Sequence, residues 1–259
     1  QTEAQRTELR YTDYTVENGL SYNSVIDICQ DTCGTIWFAT NDGLNRFNGH
    51  DIYTYRHIHD DETSLPSNSL HKVLMDDGDR IWVCTSNGLA YYDAVADAFR
   101  KVDIPGAVSV EDMVQIDEDQ FLVSTRNASY IYDKDKGTST IFEIEGKPFV
   151  FYSACRDGDN IIICTRWKMI ETLHVKDGTL CRKYEPFKIP RFGVVPLPAG
   201  NERYYIGTKG AGLILADAAG GSFRKIDVGQ NGWHEVFSLA YDSEGKLWVG
   251  SDRGLMILK

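Results

Sequence analysis

The stretch Ile36-Trp37-Phe38-Ala39-Thr40-Asn41-Asp42-Gly43-Leu44 recurs forty-five positions later as Ile81-Trp82-Val83-Cys84-Thr85-Ser86-Asn87-Gly88-Leu89. Near the end of the chain it returns as Leu247-Trp248-Val249-Gly250-Ser251-Asp252-Arg253-Gly254-Leu255. Each copy runs apolar into a threonine or serine, then passes through a short polar segment to Gly-Leu. A near-continuous apolar run of this length suits a strand covered on both faces. The Asn-Asp-Gly and Ser-Asn-Gly segments suit tight hairpins whose glycine accepts positive φ. Three eroded copies keep the apolar frame without the tryptophan: Phe121-Leu122-Val123-Ser124-Thr125, Ile161-Ile162-Ile163-Cys164-Thr165 and Tyr204-Tyr205-Ile206-Gly207-Thr208. The hydroxyls that end these runs, Thr40, Thr85, Thr125, Thr165, Thr208 and Ser251, lie 40 to 45 residues apart. That is the period of a four-stranded propeller blade.

Working outward, each copy reads as four short antiparallel strands. In the first, Val25 to Cys29 is the inner strand, Asp31 to Gly34 a turn, and Ile36 to Thr40 the second strand. Leu44 to Phe47 is the third and Asp51 to Tyr55 the outer one. The sequence thus predicts an all-β protein, a single β-propeller domain over 1–259. Its six repeats fall at about 20–60, 65–103, 108–145, 149–188, 190–228 and 233–259. Trp37, Trp82 and Trp248 are expected to fill the wedges between blades, and Gly43, Gly88 and Gly254 to make the hairpins. The last copy stops without an outer strand, and the orphan segment Leu9 to Thr15 could supply it. A closing strand of this kind would complete the last blade and hide two sheet edges. The alternative is that these repeats form part of a seven-bladed ring.

The composition narrows the function. The 259 residues suffice for a sizeable core. A hydrophobic fraction of 42% and a charged fraction of 25% are those of a soluble globular chain. A net charge of -11 opposes binding of nucleic acid or an anionic membrane by this segment. No apolar run approaches the roughly 20 residues needed to span a bilayer. The chain opens Gln1-Thr2-Glu3-Ala4 without a methionine. A mature exported protein that has lost its signal peptide begins in this way, and so does a trimmed chain. Cys84 and Cys164 hold equivalent positions inside apolar strands and read as small buried hydrophobes. Cys29, Cys33, Cys155 and Cys181 form no C-x-x-C pair, so neither a zinc nor a redox site is expected.

One family resemblance stands out. The run Gly19-Leu20-Ser21-Tyr22-Asn23-Ser24-Val25, with Gln30-Asp31 and Gly34 through Phe47, resembles the two-component regulator propeller repeat. The copies around Trp82 and Trp248 match it well, and those around Val123, Ile163 and Gly207 more weakly. The resemblance implies the periplasmic sensor region of a hybrid two-component receptor, with a transmembrane helix, histidine kinase, receiver and DNA-binding domain elsewhere. It implies an oligosaccharide ligand from polysaccharide breakdown and control of the genes that use it. Membrane attachment would then come only through a helix outside this chain. Further partners would be other sensor domains of the receptor, or a second copy in a homodimer.

Catalytic patterns are missing. No G-x-S-x-G, H-E-x-x-H or P-loop pattern occurs. The sialidase-type Asp-x-Gly-x-Thr-Trp spacing is not met either, because Asp31 and Gly34, like Asp242 and Gly245, stand three apart. No cofactor and no metal is expected: His57-Ile58-His59 with Asp60-Asp61-Glu62 reads as a solvated outer loop. A binding face does follow from strand order. The loops after second strands and those leading into first strands emerge on one face, which collects Arg126, Arg166 and Lys209 from consecutive blades. Trp167 and Lys168 stand beside Arg166, and Trp233 and His234 lead into the last copy. Aromatic faces stack on sugar rings, and arginine grips carboxylate or sulfate with two parallel bonds. The face is therefore expected to receive an acidic oligosaccharide or a partner domain, the alternative being that its cations only pair with the plentiful carboxylates nearby. Two other readings are a non-catalytic scaffold for protein association and a carbohydrate-active or lectin-like propeller.

Overall fold

The computed structural model describes residues 14–106, 108–176, 178–226 and 234–258. They form six antiparallel sheets in chain order, with one 3-10 turn at Val16–Asn18 the sole helical element. Blade 1 is β1 (Val25–Gln30), β2 (Ile36–Thr40), β3 (Gly43–Phe47) and β4 (Ile52–Tyr55); blade 2 is β5 (Leu70–Met75), β6 (Ile81–Thr85), β7 (Gly88–Asp93) and β8 (Ala98–Val102). Blade 3 is β9 (Val110–Gln115), β10 (Gln120–Thr125), β11 (Ser129–Asp133) and β12 (Thr138–Ile144), with a fifth short strand β13 (Lys147–Pro148). Blade 4 is β14 (Ser153–Asp157), β15 (Asn160–Cys164), β16 (Met169–Lys176) and β17 (Thr179–Lys188). Blade 5 is β18 (Phe192–Gly200), β19 (Arg203–Lys209), β20 (Gly212–Asp217) and β21 (Ser222–Lys225). Blade 6 has three strands among the described residues, β22 (Val236–Tyr241), β23 (Leu247–Ser251) and β24 (Gly254–Leu258).

The molecule is the six-bladed, all-β propeller that the repeats predict. Each inner strand packs on the next, from β1 to β5, β9, β14, β18 and β22. The closing strand expected at Leu9 to Thr15 falls almost wholly outside the described residues. Of its residues, Tyr14 lies against Phe47 of blade 1 with ring centroids 4.9 Å apart, and Thr15 caps the 3-10 turn.

The strong repeats owe their sequence to two local devices. In the first, an aspartate closes the turn between inner and second strands and holds the tryptophan six residues on. Asp76 accepts the amides of Gly78 and Arg80 and the indole N–H of Trp82 at 3.0 Å. Asp31 serves Trp37 and Asp242 serves Trp248 in the same way, at 3.0 and 2.8 Å. Burial would raise the Asp76 carboxyl, but the Trp82 indole, the two amides and Lys134 outweigh it and hold it below the usual range. In the second device, the hydroxyl ending the second strand ties the hairpin. Thr40 Oγ1 donates to Gly43 O and accepts the Asp42 amide, and Thr85, Thr125, Thr208 and Ser251 likewise donate across their hairpins. Gly43 has φ 114°, and a Cβ there would meet Tyr55 O at 2.4 Å, so no other residue fits.

The tryptophans sort as the repeat demands, with one exception. Trp37 packs on Tyr92 of blade 2, and Trp82 on Phe121 and Tyr132 of blade 3; both are buried. Trp248 keeps its bond to Asp242 but is only half-buried. All six cysteines are free, and Cys84 and Cys164 are buried. Burial pushes the Cys164 thiol up to about 12, which leaves it without thiolate reactivity at neutral pH.

Candidate functional site

The inner strands carry a regular irregularity. In five of six blades the pairing of inner and second strand slips by one residue at its start: between Val25 and Asp27, Leu70 and Lys72, Val110 and Asp112, Gly193 and Val195, and Val236 and Ser238. A bulge of this kind re-aims the extra side chain. The bulged residues Ile26, His71, Glu111, Val194 and Phe237, with Tyr152 of blade 4, line one cavity of about 310 Å³ on the propeller axis. One residue from every blade therefore forms a collar at the channel mouth.

A second tier lies one residue deeper. The residues paired with the position before each anchoring hydroxyl are Asp27, Lys72, Asp112, Ser153, Val195 and Ser238. Two of them stitch adjacent blades together: Asp27 accepts the Val73 amide at 3.0 Å, and Asp112 accepts the Ala154 amide at 2.8 Å. Between them the Lys72 ammonium pairs with Asp112. Burial alone would lower the Lys72 ammonium, but Asp112 and Asp27 outweigh it and keep it protonated. Burial raises Asp27, and Lys72 only partly offsets this. The cavity thus has a charged wall from blades 1 to 3 and an uncharged one in blades 5 and 6.

Imidazole chemistry at the rim is tied down. His71 Nδ1 donates to Val110 O at 2.8 Å, which leaves Nε2 to accept the Ser86 hydroxyl at 3.0 Å. A backbone carbonyl, not a carboxylate, stands behind the ring, unlike the arrangement of a hydrolytic triad. The contact positions His71. His57, in the outer loop, donates from Nδ1 to Leu65 O at 2.7 Å, and among the described residues no His, Cys, Asp and Glu cluster is arranged to hold a metal.

Of the residues expected from sequence, Arg126, Arg166, Trp167, Lys168 and Lys209 stand at the hairpins after the second strands, on the face that carries this mouth. Arg126, with His71, Ser86, Glu111 and Asn127, lines an adjoining cavity of about 400 Å³ between blades 2 and 3. The Arg166 guanidinium lies 3.9 Å from the Glu111 carboxylate, and its buried Nε has no partner among the described residues. Trp167 is 79% exposed, unlike the wedge tryptophans Trp37 and Trp82. Lys168, at φ 63°, places its ammonium 5.4 Å from the Phe192 ring centroid, and Lys209 lies 6.0 Å from that of Tyr152. Among described residues, Arg126, Lys168 and Lys209 have no carboxylate within 4.0 Å. Trp233 lies outside the described residues. The exposed His234 contributes through its backbone: its carbonyl accepts the amides of Gly210 and Gly212 and ties blade 5 to blade 6.

The collar itself escaped the sequence reading. Its signal was present, since the collar residue stands fourteen positions before the anchoring hydroxyl in five repeats and thirteen in blade 4. The bulge hid it, because a slip breaks the two-residue alternation by which facing is read.

This architecture defines a β-propeller with an open, lined channel mouth and, among the described residues, no assembled catalytic group. The family model described as two component regulator propeller matches residues 19–42 and 233–253. A curated relative, histidine kinase P4 of Formosa agariphila, is 45% identical over 62 residues, which is 24% of this chain and 4% of that protein. Among solved structures, the extracellular domain of the putative hybrid two component system BT3049 from B. thetaiotaomicron superposes with a TM-score of 0.78 at 24% identity. This chain covers 35% of that domain with 96% of its own length. The extracellular domain of BT4673, a putative one component system from the same organism, gives 0.72 at 22% identity, with 91% of this chain covering 32% of that one. These structural likenesses concern the fold.

Proposed function

We propose that this propeller is the ligand-sensing part of a two-component receptor, working in the periplasm. Its ligand is an oligosaccharide from polysaccharide breakdown, and its output is control of genes for using that sugar. The observation that carries the reading is the collar of five bulge residues and Tyr152 beneath a rim of cations and an exposed tryptophan. One half of the collar offers His71, Glu111 and Tyr152; the other offers Ile26, Val194 and Phe237. A sugar ring has the same division, with hydroxyl edges and an apolar C–H face. Glu111 and the tier below would accept hydroxyl donors, and Phe237 or Tyr152 would cover the C–H face.

The rim adds charge selection. Arg126, Arg166 and Lys209 stand on consecutive blades, and a guanidinium suits a carboxylate or sulfate. No helix of the described residues is long and apolar enough to cross a membrane, so transmission would depend on other parts of the receptor. Calorimetric titration with neutral and uronic-acid oligosaccharides tests the reading. Arg166→Ala combined with Trp167→Ala should weaken the binding oligosaccharide at least about tenfold, the value of one lost charge-assisted contact. Unchanged affinity in the double variant would overturn the placement.

A further inference from the structure

The cavity on the propeller axis is short of one positive charge. Three carboxylates line it, those of Asp27, Glu111 and Asp112, against a single ammonium, that of Lys72. Asp112 engages that ammonium and also accepts the Met113 and Ala154 amides, so both its oxygens are used. Glu111 has the Ser109 hydroxyl at 3.1 Å from one oxygen and the Arg166 guanidinium at 3.9 Å from the other. Asp27 differs from both. It accepts the Val73 amide at 3.0 Å, but among the described residues no cation stands within 4.0 Å of it. The ring nitrogens of His71 are engaged by Val110 O and the Ser86 hydroxyl, so no imidazole N–H is left for Asp27. Burial holds the Asp27 carboxyl above its ordinary range in spite of the nearby Lys72, as befits a carboxylate without a cation of its own.

A second and independent feature of the same cavity points to a ligand. Ser153, three blades round the axis from Asp27, lines the cavity and is 9% exposed. Its Oγ makes no hydrogen bond among the described residues. The group beside it is the thiol of Cys164, its register partner, which is a weak hydrogen-bonding group. A buried hydroxyl left in this way costs stability until something reaches it. Among the described residues no three metal-binding side chains converge, so the geometry favours an organic cation over a metal ion. We infer that the cavity binds a primary ammonium carried on an amino-sugar ring, Asp27 taking the ammonium and Ser153 a hydroxyl of the same ring. At about 310 Å³ the cavity suits one ring and not a chain. Glu111 borders both this cavity and Arg166, so an acidic ring held by the rim cations would adjoin the amino sugar. The ligand class is then a zwitterionic oligosaccharide, with an amino sugar next to an acidic one. The inference rests on the reading of the mouth as a sugar site and adds the charge that its interior selects.

Calorimetric titration with two disaccharides tests it: a uronic acid linked to glucosamine, and the same acid linked to glucose. The second exchanges the ammonium for a hydroxyl of similar size, and the native chain should bind the first at least about tenfold more tightly. Asp27→Asn keeps the shape of the side chain and its acceptor for the Val73 amide. It should erase the preference while leaving the glucose form bound as before. Ser153→Ala should weaken both forms about threefold with Tm unchanged or raised, because it deletes an unpartnered hydroxyl. Equal binding of the two forms by the native chain, or a preference that survives Asp27→Asn, would overturn the inference and leave the sugar site standing. Undiminished affinity in Ser153→Ala would overturn the part given to Ser153. If neither disaccharide binds, methylammonium chloride separates the two readings through the carboxyl carbon resonance of Asp27. A shift in that resonance would uphold the ammonium site without the sugar, and its absence would overturn both.

Discussion

Two walls of one channel occupy the same register position and solve it differently. On the blade 1 to 3 side the position holds Asp27, Lys72 and Asp112, each of which works across to a neighbour. On the blade 5 and 6 side it holds Val195 and Ser238, opposite Gly207 and Gly250. The glycines explain the contrast. A Cβ on Gly207 would meet Val236 Cγ1 at 2.7 Å and Val195 Cγ1 at 2.9 Å, so that wall is held by close packing. The charged wall is held by satisfied polar groups, and its cohesion depends on every member being present. One scaffold position thus gives a charged lining on one side and an uncharged lining on the other.

The sharpest way to break the contrast is to remove the central cation. Lys72→Met leaves Asp27 and Asp112 facing one another in a largely buried site, and should cost about 3 kcal/mol in chemical denaturation. Val195→Ala, at the same register position on the other wall, should cost about 1 kcal/mol. Equal losses would show that the charges contribute no more than packing. Next in size is Gly207→Ala, which forces Val236 or Val195 to move and should cost roughly 1–3 kcal/mol by overpacking. The matching change on the charged wall, Ala39→Ser opposite Asp27, gives the comparison, and should be milder if the glycine argument is right.

The smallest effect is a pH dependence. Burial holds Asp27 above its ordinary 3.8, so folding favours its protonated form. Its contribution is therefore full below 3.8 and is lost as pH rises through the folded value. Asp76 works the other way, since its carboxyl is held low and its contribution disappears as pH falls below 3.8. The difference in stability between the native chain and Asp27→Asn isolates the first effect. Measured from pH 7 to pH 4, it should shift in favour of the native chain as pH falls; a flat difference would contradict the burial of Asp27.

Much of this was legible before any coordinates. The Trp-bearing copies gave the repeat, and the anchoring hydroxyls Thr40, Thr85, Thr125, Thr165, Thr208 and Ser251 gave the blade count by their even spacing. The cationic rim followed from strand order, which fixes the face on which Arg126, Arg166 and Lys209 emerge. The collar did not follow, since a bulge is a pairing property and leaves no alternation to read. The stitching of blades by Asp27 and Asp112 was equally hidden, because the partners are backbone amides about forty residues away. Nor could the sequence separate Trp248 from Trp82. Their local motifs match, and burial depends on contacts made outside the repeat, such as those of Trp82 with Phe121 and Tyr132.

Hydrogen–deuterium exchange, with and without an oligosaccharide mixture from partial polysaccharide hydrolysis, tests the channel-mouth site most directly. The account predicts protection at the hairpins 126–128 and 166–168 and at the starts of β9, β14 and β22. The turns Asp31 to Gly34 and Asp76 to Asp79, at the opposite end of the blades, should be unchanged. Protection of those turns with an unaltered hairpin face would contradict it.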